Sequence, residues 1–358
     1  MKKSLFITGM LTSCAYVLLA MSLAMGQTPL TQDAIEAATP GQTLLLKQEE
    51  GSAPNSETGS ETGSEAGPKA EHEGPSALVA RVQIALDRAG FSVGVIDGFA
   101  GDNYASALVG FQSVNQLEVT GTVTPETWEL LVASFGDAVM QTYTLTAEDL
   151  AMDYIAEVPS DYSEKAKLKA LSYTSPVEML SERFHMDENF LRALNPSATF
   201  ANVGEVLLVA SPMRPIENAS VKRIIVDGKN GRVQAYDAEG LLVAMYPATV
   251  GSESTPSPSG THEVVAVAEN PTYTYNPKIN FTQGDNKEVL TIAAGPNGPV
   301  GSIWIDLSKP TYGIHGTPDP SKIAKTQSNG CVRLTNWDAA ELAKLVSTGT
   351  IVEFLEGS

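Results

Sequence analysis

Between Ala77 and Val132 the apolar residues recur at helical spacing. In "ALVARVQIALDRAGF", Val79, Val82, Ile84, Leu86 and Ala89 fall loosely at intervals of 3.6, which predicts an amphipathic helix. "VGVIDGFAGDN" breaks the pattern with Asp97-Gly98 and Gly101, where a positive φ costs little. "YASALVGFQSVNQL" restores the period through Leu108 and Phe111. "VTGTVTPETWELL" then predicts a helix with Thr124 as N-cap, Pro125 in its first position, and Trp128 and Leu131 inward. Together these predict a small all-α module. The stretch from Ser175 to Ala210 reads helix, turn, helix, a break at Asn195-Pro196, and a strand, with no clear strand before it. His185, at the end of its first helix, reads as a structural residue. From Val221 the pattern shortens to alternation. "VKRIIVDGKNGRVQAYD" predicts a hairpin over an Asp-Gly/Asn-Gly turn, and "LLVAMYPATVG", "GTHEVVAVAEN", "VGSIWIDL" and "TIVEFLE" add short strands. Only "WDAAELAKLV", Trp337 to Val346, reads as helix there, with Asn336 as its cap, so the C-terminal part is mainly β and sandwich-like.

Two stretches lack this patterning. Lys47 to Ser76 is Gly, Ser, Glu and Pro with hardly an apolar side chain, too little to offset its ordering entropy, so 27–76 is expected to be a disordered tether. His72 lies inside it. Met1–Gly26 has the anatomy of a secretory signal: Lys2 and Lys3, then an uncharged apolar run from Leu5 to about Ala24, and small residues at Ala24-Met25-Gly26. An uncleaved inner-membrane anchor is a second reading, since about 20 apolar residues span a bilayer. A lipoprotein box at Leu11–Cys14 is a third, opposed by the apolar residues that continue to Leu19. The expected organisation is therefore a signal at 1–26, the tether, a helical module at 77–135, a second module or linker at 140–212, and a β domain at 220–358.

Charge and cysteine count narrow the chemistry. The net charge of −19, near −21 once Lys2 and Lys3 are removed, argues against nucleic acid as a partner. Residues 221–358 carry 11 Lys+Arg against 14 Asp+Glu, so the C-terminal domain is nearly neutral. Removing the signal removes Cys14, one of two cysteines, and leaves Cys331 as the sole thiol of an exported chain, unable to form an internal disulfide.

Cys331 sits in "SNGCVRL", with fifteen residues separating it from His315 in "YGIHGT". A nucleophilic thiol needs a proton acceptor, a site for oxyanion charge and a hold on its substrate. His315 is the candidate base, with Gly316 allowing close backbone approach. Gly330-Cys331-Val332 could present backbone N–H groups in a tight turn, and Arg333 could clamp a carboxylate or order the loop. The duller alternatives are a packed cysteine and a structural histidine. A zinc site of His315, Cys331 and Asp319 is disfavoured by the absence of a second nearby cysteine or an HxxE pair.

The same residues resemble a known family. "IHGT…SNGCVRL", with "TPSPSGTHEV" and "VGSIWIDL" upstream, looks like the signature of the L,D-transpeptidase (YkuD-type) catalytic domain over about Val221–Glu356. The "DGxxG" turn, "FQ" helix and "GxVxxxTW" finish of the helical module resemble the peptidoglycan-binding type 1 domain, and 175–210 looks like a degenerate LysM motif. The resemblance implies Cys331 as nucleophile and His315 as its base, with Ser328, Asn329, Gly330 and Arg333 in the same box beside Gly316. It departs at Asn329, where the family usually has histidine, a group that titrates. It further implies a cofactor-free acyl transfer that joins peptidoglycan stem peptides 3→3 with release of D-alanine. Free D-amino acids or an outer-membrane lipoprotein are other acceptors, and carbapenem β-lactams are expected to acylate the thiol. A carboxypeptidase that trims stem peptides and a non-catalytic wall-binding protein are the competing functions. A periplasmic, wall-associated location follows from the export signal.

Overall fold

The computed structural model describes residues 30–40, 74–135, 138–212, 220–252 and 255–355. The expected signal, Cys14, His72 and most of the expected tether lie outside the described residues. Residues 32–37, inside the span read as tether, are instead a helix, α1 (Gln32–Ala37), capped by Thr31. Ile35 is the reason: it is fully buried in the core of the neighbouring helices, and Arg81 Nη1 donates to Ala38 O at 2.9 Å.

The helical module is α2 (Ala77–Arg88), α3 (Asp102–Val114) and α4 (Pro125–Phe135). Val82, Ile84 and Leu86 of α2 and Leu108 and Phe111 of α3 meet in one core. Two buried glutamines hold the intervening turns. Gln83 Oε1 accepts from Asp97 N and Gly98 N, and Gln112 Oε1 accepts from Thr120 N and Gly121 N. Both glycines have positive φ, which other L-residues resist.

The second module supplies the strand that its sequence did not announce. β1 (Met140–Thr144) pairs antiparallel with β2 (Val206–Ala210), bracketing α5 (Ala147–Leu150), α6 (Tyr162–Lys165), α7 (Pro176–Arg183) and α8 (Glu188–Leu194). Exposed polar residues interrupt β1, with Gln141 and Thr142 facing solvent, and this obscures its alternation. The module shares a core with the helices before it. His185 has the structural role its context suggests. Its Nδ1 lies 2.9 Å from Asp87 Oδ2, and its ring stacks on Trp337 of the C-terminal domain at 5.2 Å.

The C-terminal domain is one curled mixed sheet. Its strands are β3 (Arg223–Asp227), β4 (Arg232–Tyr236), β5 (Leu242–Pro247), β6 (Gly260–Glu269), β9 (Ile303–Leu307), β10 (Gly313–His315), β11 (Val332–Arg333) and β12 (Ile351–Phe354), in the order β11-β10-β9-β6-β12-β3-β4-β5. β6 makes the curl. Its first residues pair with β12 and the rest with β9, with a register shift between Val264 and Ala266. The edges then meet, because Thr249 bridges Arg333 and Gly251 bridges Ser328. A two-stranded flap of β7 (Tyr273–Tyr275) and β8 (Leu290–Ile292) stands off the sheet. The single long helix, α9 (Asn336–Leu345), packs on β9 and β10. Its N-cap is Thr335, one residue before the expected Asn336. Thr335 is extended and its hydroxyl accepts from Asp338 N at 3.1 Å, whereas the Asn336 amide is spent on tertiary bonds. Among the described residues no helix is long and apolar enough to cross a membrane.

Candidate active site

Strand pairing brings the histidine to the cysteine. β10 and β11 run parallel with Ile314 opposite Val332 and His315 opposite Arg333. Side chains alternate across a strand. Ile314 and Val332 therefore enter the core, fully buried, while His315 and Arg333 share the other face, with Cys331 two residues before Arg333. The same alternation puts Trp304 of β9 beside His315, stacked at 5.6 Å. On this face lies a cleft of about 380 Å³, lined by Cys331, His315, Asn329, Arg333, Trp304 and Tyr312, with Tyr162, Tyr273 and Phe281 closing it from outside the sheet.

The histidine is set up as a neutral base. Its Nδ1 is 2.6 Å from Gly316 O. A carbonyl only accepts, so Nδ1 carries the proton and Nε2 keeps a lone pair. The ring is 4% exposed, and burial, aided by the Arg333 charge and opposed by the Gly316 bond, holds its pKa down at about 4. Burial likewise pushes the Cys331 thiol up, against the Gly313 N–H and Arg333, and Sγ lies 3.8 Å from Thr311 O. The resting pair is thus thiol and imidazole rather than thiolate and imidazolium.

The loop before Cys331 is held at every residue but one. Ser328 N donates to Val250 O, and its hydroxyl donates to Cys331 O and accepts from Gly330 N. Gly330 O accepts from Ser257 Oγ at 2.9 Å. Gly330 needs to be glycine: its φ is +106°, and a Cβ would lie 2.9 Å from the Tyr312 ring. Asn329 is exposed at the cleft rim. Of the N–H groups expected at Gly330–Val332, that of Gly330 is taken by Ser328. The Cys331 N–H has no acceptor among the described residues, so it is the one free to meet an oxyanion. Arg333 is half-buried, and among the described residues no carboxylate pairs with it. No group of three or more metal-ligating side chains occurs among the described residues, and Asp319 pairs with Lys322.

The sequence reading overlooked three contributors. Gly316 packs against Asn336 so tightly that a Cβ would lie 2.2 Å from Asn336 Oδ1, an oxygen that also accepts from Ser302 N. Asn336 Nδ2 in turn lies 3.0 Å from both Glu182 oxygens. Asn336 thus fixes the backbone on which His315 leans, and Glu182 of the second module fixes Asn336. Tyr162 reaches the cleft from α6. A helix-cap motif and a linker tyrosine carry no local signal of such roles.

A relative settles the family. The "Putative L,D-transpeptidase YkuD" of Bacillus licheniformis is 32% identical over 178 residues, 49% of this chain and 91% of that protein. The chain belongs to the L,D-transpeptidase family. The family's match, described as "L,D-transpeptidase catalytic domain", covers residues 221–354, the curled sheet. A "Putative peptidoglycan binding domain" match covers residues 75–131, the three-helix module. A relative in Fuscovulum blasticum, "Putative L,D-transpeptidase in ATP synthase subunits region ORF 5", is 33% identical over 37% of this chain and 68% of that protein. Among solved structures, L,D-transpeptidase 3 of Mycobacterium tuberculosis with a faropenem-derived adduct is 14% identical, with a TM-score of 0.32, over 42% of this chain and 67% of that one.

Proposed function

We propose that this L,D-transpeptidase is exported to the periplasm and forms 3→3 cross-links between peptidoglycan stem peptides, with Cys331 as nucleophile and His315 as base. The observation that carries the reading is the shared face of β10 and β11. It puts into one cleft a thiol, a neutral imidazole and a guanidinium, the imidazole Nε2 and the guanidinium having no partner among the described residues. Sγ attacks the amide carbonyl between the third stem residue and a terminal D-alanine as Nε2 takes the thiol proton. The Cys331 N–H faces the resulting oxyanion. The C–N bond then breaks, D-alanine leaves with the proton held at Nε2, and a thioester remains. An amine of a second stem peptide attacks it and gives up a proton to Nε2, and the thiolate leaves and is reprotonated. Asn329 stands at the rim and needs no titration in this scheme, because His315 handles both proton transfers. The N-terminal module keeps the enzyme on its insoluble substrate. A carbapenem, with its reactive carbonyl, would acylate the same thiol.

The test is mass spectrometry of muropeptides incubated with wild type and Cys331→Ala. Cross-linked dimers that need Cys331 support the reading. D-alanine release without dimers would make the enzyme a carboxypeptidase, and identical products from both proteins would make it a wall-binding protein.

A further inference from the structure

Tyr162 stands in the cleft yet belongs to neither matched domain. It opens α6, a single helical turn capped by Asp161, and that turn is fastened to the flap. Tyr162 N donates to Gln283 Oε1 at 3.0 Å, Gln283 Nε2 donates to Ser160 O at 3.1 Å, and Asn286 Nδ2 donates to Asp161. The Tyr162 ring meets Tyr275, Phe281 and Tyr273 edge-on at 5.3, 5.9 and 6.1 Å, and Lys165 Nζ lies 5.6 Å from its centroid. A ring held on so many sides has a fixed direction.

Its hydroxyl is the unexplained part. A tyrosine packed this closely usually finds a partner for its O–H, and the Tyr275 hydroxyl does, accepting from Gln283 N. The hydroxyls of Tyr162 and Tyr273 have no partner among the described residues, and both rings line the cleft with Arg333. The Arg333 side chain lines the same cleft as both rings, and its charge favours the ionised form of each phenol. Burial pushes both phenols up, and they stay protonated donors. A cation with no carboxylate partner among the described residues, in one cleft with two phenol O–H donors and two residues past the nucleophile, matches a carboxylate that enters from solvent.

We propose that Tyr162, with Arg333 and Tyr273, binds the terminal carboxylate of the acyl donor, so that a residue outside the catalytic domain sets donor specificity. The proposal rests on the transpeptidase reading for the identity of the donor. The selected substrate is a peptide whose free carboxylate lies one residue beyond the scissile amide. Penultimate amides in longer, blocked or amidated peptides are selected against.

The experiment uses the full chain with Cys331→Ala, which binds donor without turnover. Calorimetry compares a disaccharide tetrapeptide ending in D-alanine with the same compound as its C-terminal carboxamide. The acid is expected to bind at least about tenfold more tightly than the amide, the size of a hydrogen-bonded charge interaction. Adding Tyr162→Phe keeps the ring and its packing, and should bring that ratio to within about threefold while leaving the amide's affinity unchanged. In the active enzyme Tyr162→Phe should raise KM for the acid donor without slowing alkylation of Cys331 by iodoacetamide. An acid-to-amide ratio unchanged by Tyr162→Phe overturns the proposal, as does equal binding of acid and amide by the parent. Because binding is read without catalysis, failure of the cross-linking assay shows separately as failure of the functional reading.

Discussion

The pH dependence of Cys331 tests whether the site rests neutral. Many cysteine nucleophiles rest as a thiolate beside an imidazolium, and the perturbation that distinguishes the two states is pH itself. His315 sits at about 4 because burial disfavours its cation. Even an ordinary thiol, near about 8.5, stands roughly 4.5 units above that, so moving the proton from sulfur to nitrogen costs about 6 kcal/mol. Burial of Cys331 raises the cost further. Attraction within the new ion pair returns no more than about 4 kcal/mol even if the two groups closed to roughly 4 Å in an effective dielectric of about 20. The neutral pair wins by at least about 2 kcal/mol, so attack and proton transfer are coupled and no thiolate accumulates. The sign then follows. His315 must be neutral to accept the proton, so kcat/KM falls only as pH drops through about 4, well below an unperturbed imidazole. The assays are kcat/KM for D-alanine release between pH 3.5 and 9, and the rate of iodoacetamide alkylation of Cys331 over the same range. Alkylation should keep rising into the alkaline region. An acid limb near 6.5, or an alkylation plateau already reached at neutral pH, would refute the neutral resting state.

Three further predictions concern the residues around the pair. Burial raises the Glu182 carboxyl from 4.5 to about 8, so between those values the unfolded chain gives up a proton that the folded one keeps. Stability should therefore fall as pH rises through this window, by on the order of 5 kcal/mol in all. Glu182→Gln should flatten that part of a calorimetric Tm profile, and parallel profiles would count against the assignment. Gly316→Ala places a methyl against Asn336 Oδ1 and should cost about 2 kcal/mol or more and at least tenfold in kcat, so unchanged turnover and Tm would show that this contact does not position His315. Ser328→Ala removes the bond to Cys331 O and strands the Gly330 N–H, a loss of about 1–2 kcal/mol. It should lower kcat more than it raises KM for the donor, and the opposite split would mean that Ser328 binds substrate rather than ordering the loop.

Much of this protein was legible in the chain because its signals are local. The period of Val82, Ile84 and Leu86 announces a helix, the alternation of Ile303, Ile305 and Leu307 a strand half-buried against a core, and Asp227–Gly231 a hairpin. His315 and Cys331 were paired by residue type and family spacing. The misses are non-local. Ile35 orders a segment of polar appearance because another helix offers it a pocket. Asn336, a good cap by type, is pulled from that task by Glu182, some 150 positions earlier, and Thr335 caps instead.

Sequence alone determined which residues can do the chemistry: the thiol of Cys331, one histidine before a glycine, and one arginine two residues past the nucleophile. Tertiary structure alone decided their state and surroundings. The parallel register of β10 with β11 puts the three on one face, burial holds His315 and Cys331 neutral, and docking of α6 on the flap brings Tyr162 to them. Charge state depends on how much water the fold removes, and neighbours distant in the chain become neighbours only when the sheet curls. No short stretch of sequence encodes either quantity.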